Sequence, residues 1–230
     1  MPFEDRAEAG RKLAAKLTEY KDQRPVVLAL PRGGVPVAAE VARGLDAPLD
    51  LVLVRKIGVP FRPELAMGAI VDGKSPTIVR NEDVIAAVGV DEKHFKAICD
   101  KQLAEIERRR MHYLGDRARA EISGRTVIVV DDGVATGATM RAALRATRQR
   151  GPKRLILAVP VAPPNAIAEL REEADEVVCL ETHAFFGAIG AYYLDFQQVE
   201  DEDVSRLLAL FPVQKAELPQ ASAASPGATP

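Results

Sequence analysis

The sequence contains no tryptophan and only two cysteines among its 230 residues. Cys99 and Cys179 are far apart, so they form neither a disulfide framework nor a metal cluster, and such sparing use fits a reducing cytoplasm. An excess of either charge is also missing. Lys plus Arg number 31 and Asp plus Glu 33, for a net charge of −2. That balance excludes a protein-wide basic field, and no nucleic-acid partner is expected. Long apolar runs are absent too. Leu155 to Ala162 falls well short of the ~18 residues that span a bilayer, so no membrane association is expected. Met1-Pro2-Phe3-Glu4-Asp5 is too polar to read as a signal peptide. Cys-x-x-Cys, Gly-x-Ser-x-Gly and Gly-x-Gly-x-x-Gly do not occur. What the chain does have is 47% hydrophobic and 28% charged residues, enough for a real core and too much for wholesale disorder.

Short β-rich runs alternate with helical patterns. The runs are Val26 to Leu30, Leu49 to Val54, Thr126 to Val130, Leu155 to Val161 and Glu176 to Leu180. They are continuously apolar, as strands covered by helices on both faces are, which predicts a mostly parallel α/β sheet. Helices are predicted at Val35 to Arg43, Ala138 to Arg150 and Asn165 to Glu173. Residues 3 to 20 put Phe3, Ala7, Leu13, Ala14, Leu17 and Tyr20 on one helical face. A helix from about Asp91 to Leu114 carries the stripe Phe95, Ile98, Cys99, Leu103 and Ile106. Its triplet Arg108-Arg109-Arg110 reads as a solvated face paired with Glu105 and Glu107, and His94 and His112 read as exposed. From Val213 the composition turns to Ala, Ser, Pro and Gly, which predicts a disordered tail over 213–230 behind a domain over 1–212.

The chemistry concentrates in Thr126-Val-Ile-Val-Val130-Asp131-Asp132-Gly133-Val134-Ala135-Thr136-Gly137-Ala138-Thr139. A buried strand runs into two carboxylates, then a small-residue loop, then a helix. Small side chains leave the loop amides open, and with the helix N-terminus and the Thr136 and Thr139 hydroxyls they make a phosphate cradle. Acids beside such a cradle make sense if they hold sugar hydroxyls or a divalent cation. The plainer alternative is that they cap the strand and start a turn. No cation near them in sequence offsets their mutual repulsion.

This stretch resembles the phosphoribosyl pyrophosphate signature of the type I phosphoribosyltransferases. The resemblance implies an open, mostly parallel sheet flanked by helices, with a small hood built from elements near 1–20 and 181–210. It implies that Asp131 and Asp132 are the catalytic acids on the ribose hydroxyls, holding Mg²⁺ directly or through ribose or water. Val134, Ala135, Thr136, Gly137, Ala138 and Thr139 would take the 5′-phosphate. Leu28 to Pro36 resembles the family's pyrophosphate loop, often a non-proline cis peptide, which would place Arg32, Gly33 and Gly34 on pyrophosphate. Arg55 and Lys56 resemble the basic pair that leads into a mobile loop, here Gly58 to Ser75, which includes Asp72 and Glu64. A solvated turn and a solvated basic pair remain open for those two segments.

Gly68-x4-Gly73-Lys74-Ser75 matches the P-loop pattern, but Arg62 to Met67 predicts no strand before it and no helix follows, so it is set aside. Ala184 to Phe196 holds five of eleven aromatics. With Asp195 it would suit a flat, hydrogen-bonding acceptor, or equally a packed subdomain or dimer contact. The implied activity is transfer of a 5-phosphoribosyl group from phosphoribosyl pyrophosphate to a nitrogenous acceptor, with Mg²⁺ as cofactor and a homodimer as the assembly. A non-catalytic sensor of phosphoribosyl pyrophosphate or a nucleotide is the alternative, and an ATPase a distant third.

Overall fold

The computed structural model describes residues 1–73, 76–211 and 213, without the side chains of residues 63 and 64. Residues 214–230 of the predicted tail over 213–230, and Lys74 and Ser75 of the P-loop pattern, lie outside the described residues. No helix among them is long and apolar enough to cross a membrane.

Five strands form the central sheet: β1 (Val26–Ala29), β2 (Leu49–Leu51), β6 (Thr126–Val130), β7 (Arg154–Ala162) and β8 (Glu176–Thr182). Their order is β2-β1-β6-β7-β8 and every pairing is parallel. Alternate residues of each strand feed two separate cores. Val27, Ala29, Ile128, Val130, Ile156 and Ala158 face one cluster. That cluster is completed by α1 (Arg6–Lys16), α2 (Gly34–Leu45), α4 (Glu92–Leu114) and α7 (Asp201–Ala209). Val26, Leu28, Val127, Val129, Leu155 and Leu157 face the other, under α5 (Ala138–Gln149) and α6 (Pro164–Leu170). Both faces are buried, which is why the strands read as unbroken apolar runs.

A second, antiparallel sheet holds β3 (Val54–Val59), β4 (Arg62–Val71) and β5 (Thr77–Arg80), and α3 (Glu82–Val88) follows it. Two expectations are corrected here. The run Leu49 to Val54 is not one strand, because the chain leaves the parallel sheet after Leu51 and begins a hairpin at Val54. Val52 and Leu53 stay buried across the change of partner, so hydrophobicity alone does not mark it. Of the expected loop Gly58 to Ser75, the described residues 58–73 are not a loop either. Most of it is paired strand, in register Val54 with Val71 and Lys56 with Ala69. The P-loop pattern therefore begins inside β4, against the expectation that no strand precedes it, and β5 comes next where a P-loop needs a helix.

Asp72 ends that hairpin and is buried. Its carboxylate accepts from the Leu53 N–H and lies 2.7 Å from Arg119. On α4, Phe95, Cys99 and Ile106 are buried as the stripe predicted, and Arg108, Arg109 and Arg110 pair with Glu105 and Glu107. His94 is exposed and bonds Asp91.

Candidate functional site

The central strand β6 delivers Asp131 and Asp132 to the carboxyl end of the sheet, where open α/β sheets place ligands. Asp131 Oδ1 accepts from the Asp132 N–H at 2.9 Å, so the first acid is tied to the backbone of the second. Burial, then the Asp132 charge beside it, push the Asp131 carboxyl well above the usual carboxylate range. Burial also raises Asp132, and Arg6 pulls it back.

No cation lies near the acids in sequence, yet the fold brings one against them, Arg6. It projects from α1, 126 positions away in sequence, and its Nε donates to Asp132 Oδ2 at 2.8 Å. Its Nη1 donates to the Gln197 carbonyl at 2.8 Å, and its guanidinium lies 3.7 Å from the centre of the Phe196 ring. Both members of the pair are largely buried, at 12% and 10% side-chain exposure. Adjacent acids can be seen in a sequence, but a helix residue that folds back onto them carries no local signal.

Beyond Asp132 the loop runs to α5. Gly137 caps that helix at φ +77°, a conformation that favours glycine, and no side chain caps the first turn. The first-turn amides of a helix have no intrahelical partner. Ala135, Thr136, Ala138 and Thr139 are exposed, so this part of the cradle is open. Val134 is not part of it: its side chain is buried and its N–H donates to the Val161 carbonyl at 2.9 Å.

The Arg32-Gly33-Gly34 turn lies directly against the acids. The Pro31–Arg32 peptide is cis, as the resemblance implied. A Cβ on Gly34 would lie 2.9 Å from Asp131 Cα. Arg32 Nη1 stands 3.6 Å from Glu200 and 3.5 Å from Asp201 at the start of α7. A cleft of about 580 Å³ above this floor is lined by Arg6, Arg32, Gly33, Asp132, Ile189 and Phe196, among others.

The basic pair on β3 is divided. Lys56 shares a second cavity, of about 290 Å³, with Ala138 and Thr139 of the cradle helix. Arg55 goes to α4, where its Nε donates to Gln102 at 3.0 Å, and burial lowers its pKa. The structure brings Lys56 to the cradle and ties Arg55 elsewhere.

The aromatic segment packs largely on itself. Tyr192 stacks on Phe186 at 4.9 Å and lies 4.6 Å from His183. Phe185 is fully exposed. Tyr193 is buried as a support: its hydroxyl donates to the Asp132 carbonyl at 2.5 Å, and burial raises its pKa. The segment also pairs with the N-terminus, through Phe3 N–H to Tyr192 O and Leu194 N–H to Phe3 O, both at 2.8 Å. Asp195 is exposed, and its carboxylate accepts from the Gln197 N–H.

Known proteins resemble this chain across nearly all of that framework. The family model described as "Phosphoribosyl transferase domain" matches residues 3–197. A Mycobacterium tuberculosis protein named "Putative phosphoribosyl transferase Rv0571c" is 47% identical over 206 residues, which is 90% of this chain and 46% of that protein. The chain thus spans about half the length of the curated relatives it matches. The crystal structure of TT1426 from Thermus thermophilus is 45% identical and superposes with a TM-score of 0.81, covering 92% of this chain and all of that one. The match from residue 3 to residue 197 takes in the acids, the cradle, Arg6 and Tyr193 together. The chain belongs to the phosphoribosyl transferase domain family.

Proposed function

We propose that the chain transfers a 5-phosphoribosyl group from phosphoribosyl pyrophosphate to a nitrogenous, nucleobase-like acceptor and releases pyrophosphate. The observation that carries this reading is the junction of an acid pair with a helix N-terminus that no side chain caps, at the end of the central strand and against the Gly33-Gly34 turn.

In this reading Ala135 to Thr139 hold the 5′-phosphate, with the helix dipole and open amides matching its charge. Asp131 and Asp132 accept from the ribose 2′- and 3′-hydroxyls. Arg32 and Lys56 meet the pyrophosphate, while Arg55 serves the packing of the hairpin on α4. The bond from ribose C1 to the pyrophosphate oxygen breaks and its electron pair leaves with pyrophosphate. The acceptor nitrogen lone pair closes the new bond at C1, and the nitrogen proton passes to solvent. The ribose ring carries positive charge between these events, and the nearby carboxylates favour it electrostatically. No covalent enzyme intermediate is needed.

Mg²⁺ fits this donor set in a limited way. Among the described residues no group of three or more His, Cys, Asp or Glu side chains could hold a metal. Mg²⁺ often takes only one or two protein carboxylates and fills its octahedron with water and substrate phosphates. Asp131, with the Asp132 oxygen that Arg6 leaves open, would hold it directly or through ribose or water. It would offset charge on the leaving pyrophosphate. The cleft wall that would take the acceptor is formed by Ile189 and Phe196, with the N-terminal and aromatic segments as the hood and residues 1–212 as the domain. A homodimer and a cytoplasmic location belong to the same reading.

The test is calorimetric titration with phosphoribosyl pyrophosphate and Mg²⁺, followed by an assay for pyrophosphate release on adding a pool of nucleobases. Saturable binding with acceptor-dependent release supports the transferase. Binding with no release for any acceptor supports the sensor.

A further inference from the structure

Two residues from opposite ends of the domain converge on Asp132 and hold it in two different ways. Arg6, in α1, binds its side chain through Oδ2. Tyr193, in the aromatic segment, binds its main-chain carbonyl. Each is fixed by further contacts: Arg6 by the Gln197 carbonyl and the Phe196 ring, Tyr193 by Phe3 at 5.5 Å and Phe196 at 4.9 Å. The two segments are themselves joined by the parallel bridge of Phe3 with Tyr193. Among the described residues Asp131 has no such clamp, and it leans on the Asp132 N–H. Holding Asp132 therefore holds both acids.

Resting on the transferase reading above, we propose that Arg6 and Tyr193 are positioning residues for the acid pair. They fix the Asp132 carboxylate where the ribose hydroxyls need it, so sugar binding depends on the contact between the N-terminal helix and the aromatic segment. Neither residue is required to touch the reacting atoms. A carboxylate anchored through one oxygen presents the other in a defined direction, and preorganisation of this kind shows as affinity because the ligand no longer has to order the group. Arg6 suits the task better than lysine would, since its planar fork reaches Asp132 and Gln197 at once.

Two of the three variants, Tyr193→Phe and Arg6→Lys, are chosen to leave charge and fold in place. Tyr193→Phe removes only the hydroxyl bond and keeps the ring between Phe3 and Phe196. Arg6→Lys keeps the charge and loses the fork. Arg6→Met removes both. Dissociation constants are measured by calorimetry for phosphoribosyl pyrophosphate with Mg²⁺ and for inorganic pyrophosphate with Mg²⁺, which has no ribose. Melting curves are recorded on the same samples. Tyr193→Phe and Arg6→Lys are each expected to weaken phosphoribosyl pyrophosphate about 3- to 10-fold, and Arg6→Met by at least about 10-fold. Pyrophosphate binding to Tyr193→Phe and Arg6→Lys is expected to stay at the wild-type value. If both ligands weaken equally in those two variants, the contacts are structural and the proposal is overturned. It is overturned as well if both variants bind phosphoribosyl pyrophosphate like the wild type. Wild-type protein that binds no phosphoribosyl pyrophosphate overturns the transferase reading itself, and this proposal falls with it.

Discussion

A Cβ placed on Gly33 would lie 2.0 Å from Oδ2 of Asp132, the same oxygen that accepts from Arg6. The Arg32-Gly33-Gly34 turn and the acid pair are therefore one packed unit, and the glycine is required by close approach. Gly33→Ala has to displace the Asp132 carboxylate or the turn. It is expected to cost about 1–3 kcal/mol, the usual cost of overpacking. Phosphoribosyl pyrophosphate binding should fall with it. A melting curve and a titration on the same sample check this, and an unchanged value for both would show that the turn moves freely.

The two acids should separate on mutation. Asp132→Asn leaves Arg6 without its charged partner in a largely buried setting, so it should lower the melting temperature by an amount corresponding to about 1–3 kcal/mol. Asp131→Asn removes a partly buried charge that Asp132 repels, so it should melt at the wild-type temperature or above. Each should reduce transfer by roughly 10²–10³, the scale for losing one preorganised electrostatic contact. Differential scanning calorimetry with a pyrophosphate assay is the check. Equal melting of both variants would show that Arg6 contributes nothing to Asp132.

The pH dependence follows from the direction of the Asp131 shift. Its carboxyl is raised in the folded protein by burial and by Asp132. The folded state therefore holds the proton more tightly than the unfolded chain does. Stability from this group is fully present below the unfolded value of about 3.9 and is lost as pH rises through the folded value. Measured in chelator, the melting advantage of Asp131→Asn over wild type should be largest at neutral pH and fade on acidification towards pH 4. An advantage that grows on acidification would reverse the assigned direction.

Arg55 and Lys56 give a prediction that their adjacency in sequence hides. Lys56→Ala should raise the KM for phosphoribosyl pyrophosphate about 10-fold, as expected for one charge-assisted contact. Arg55→Ala should act mainly on stability, through the lost contact with Gln102. Steady-state kinetics beside melting curves decide it, and a larger KM effect at Arg55 would reverse the two roles.

The parallel sheet is legible in the sequence because strands covered on both faces must be apolar throughout, and Val127 to Val130 and Leu155 to Ala158 are. The acid pair and the open small-residue loop into α5 are legible because their pattern is local: adjacent residues, small side chains, a helix start. The hairpin is not, because Val52 and Leu53 remain buried while the chain changes sheets, so nothing in the pattern breaks. Its glycines and prolines suggest a loop, yet Gly58 and Gly68 sit in paired strands. Asp72 reads as part of that loop and is instead a buried acid paired with Arg119. Arg6 and Tyr193 cannot be found by spacing. Their link to Asp132 exists only once the N-terminal segment has paired with the aromatic segment. Val134 reads as part of the cradle because a sequence does not show which amides the sheet has already taken.

The most direct test is chemical. The protein is incubated with phosphoribosyl pyrophosphate, Mg²⁺ and a mixture of nucleobases, and the products are read by mass spectrometry, with Asp131→Asn as the matched control. The expected result is one acceptor gaining the mass of a 5-phosphoribosyl group, in step with pyrophosphate release, and roughly 10²–10³ less product from the variant. Product formed equally by both proteins would contradict the role given to the acid pair, and no phosphoribosylated acceptor from the wild type would contradict the transferase reading.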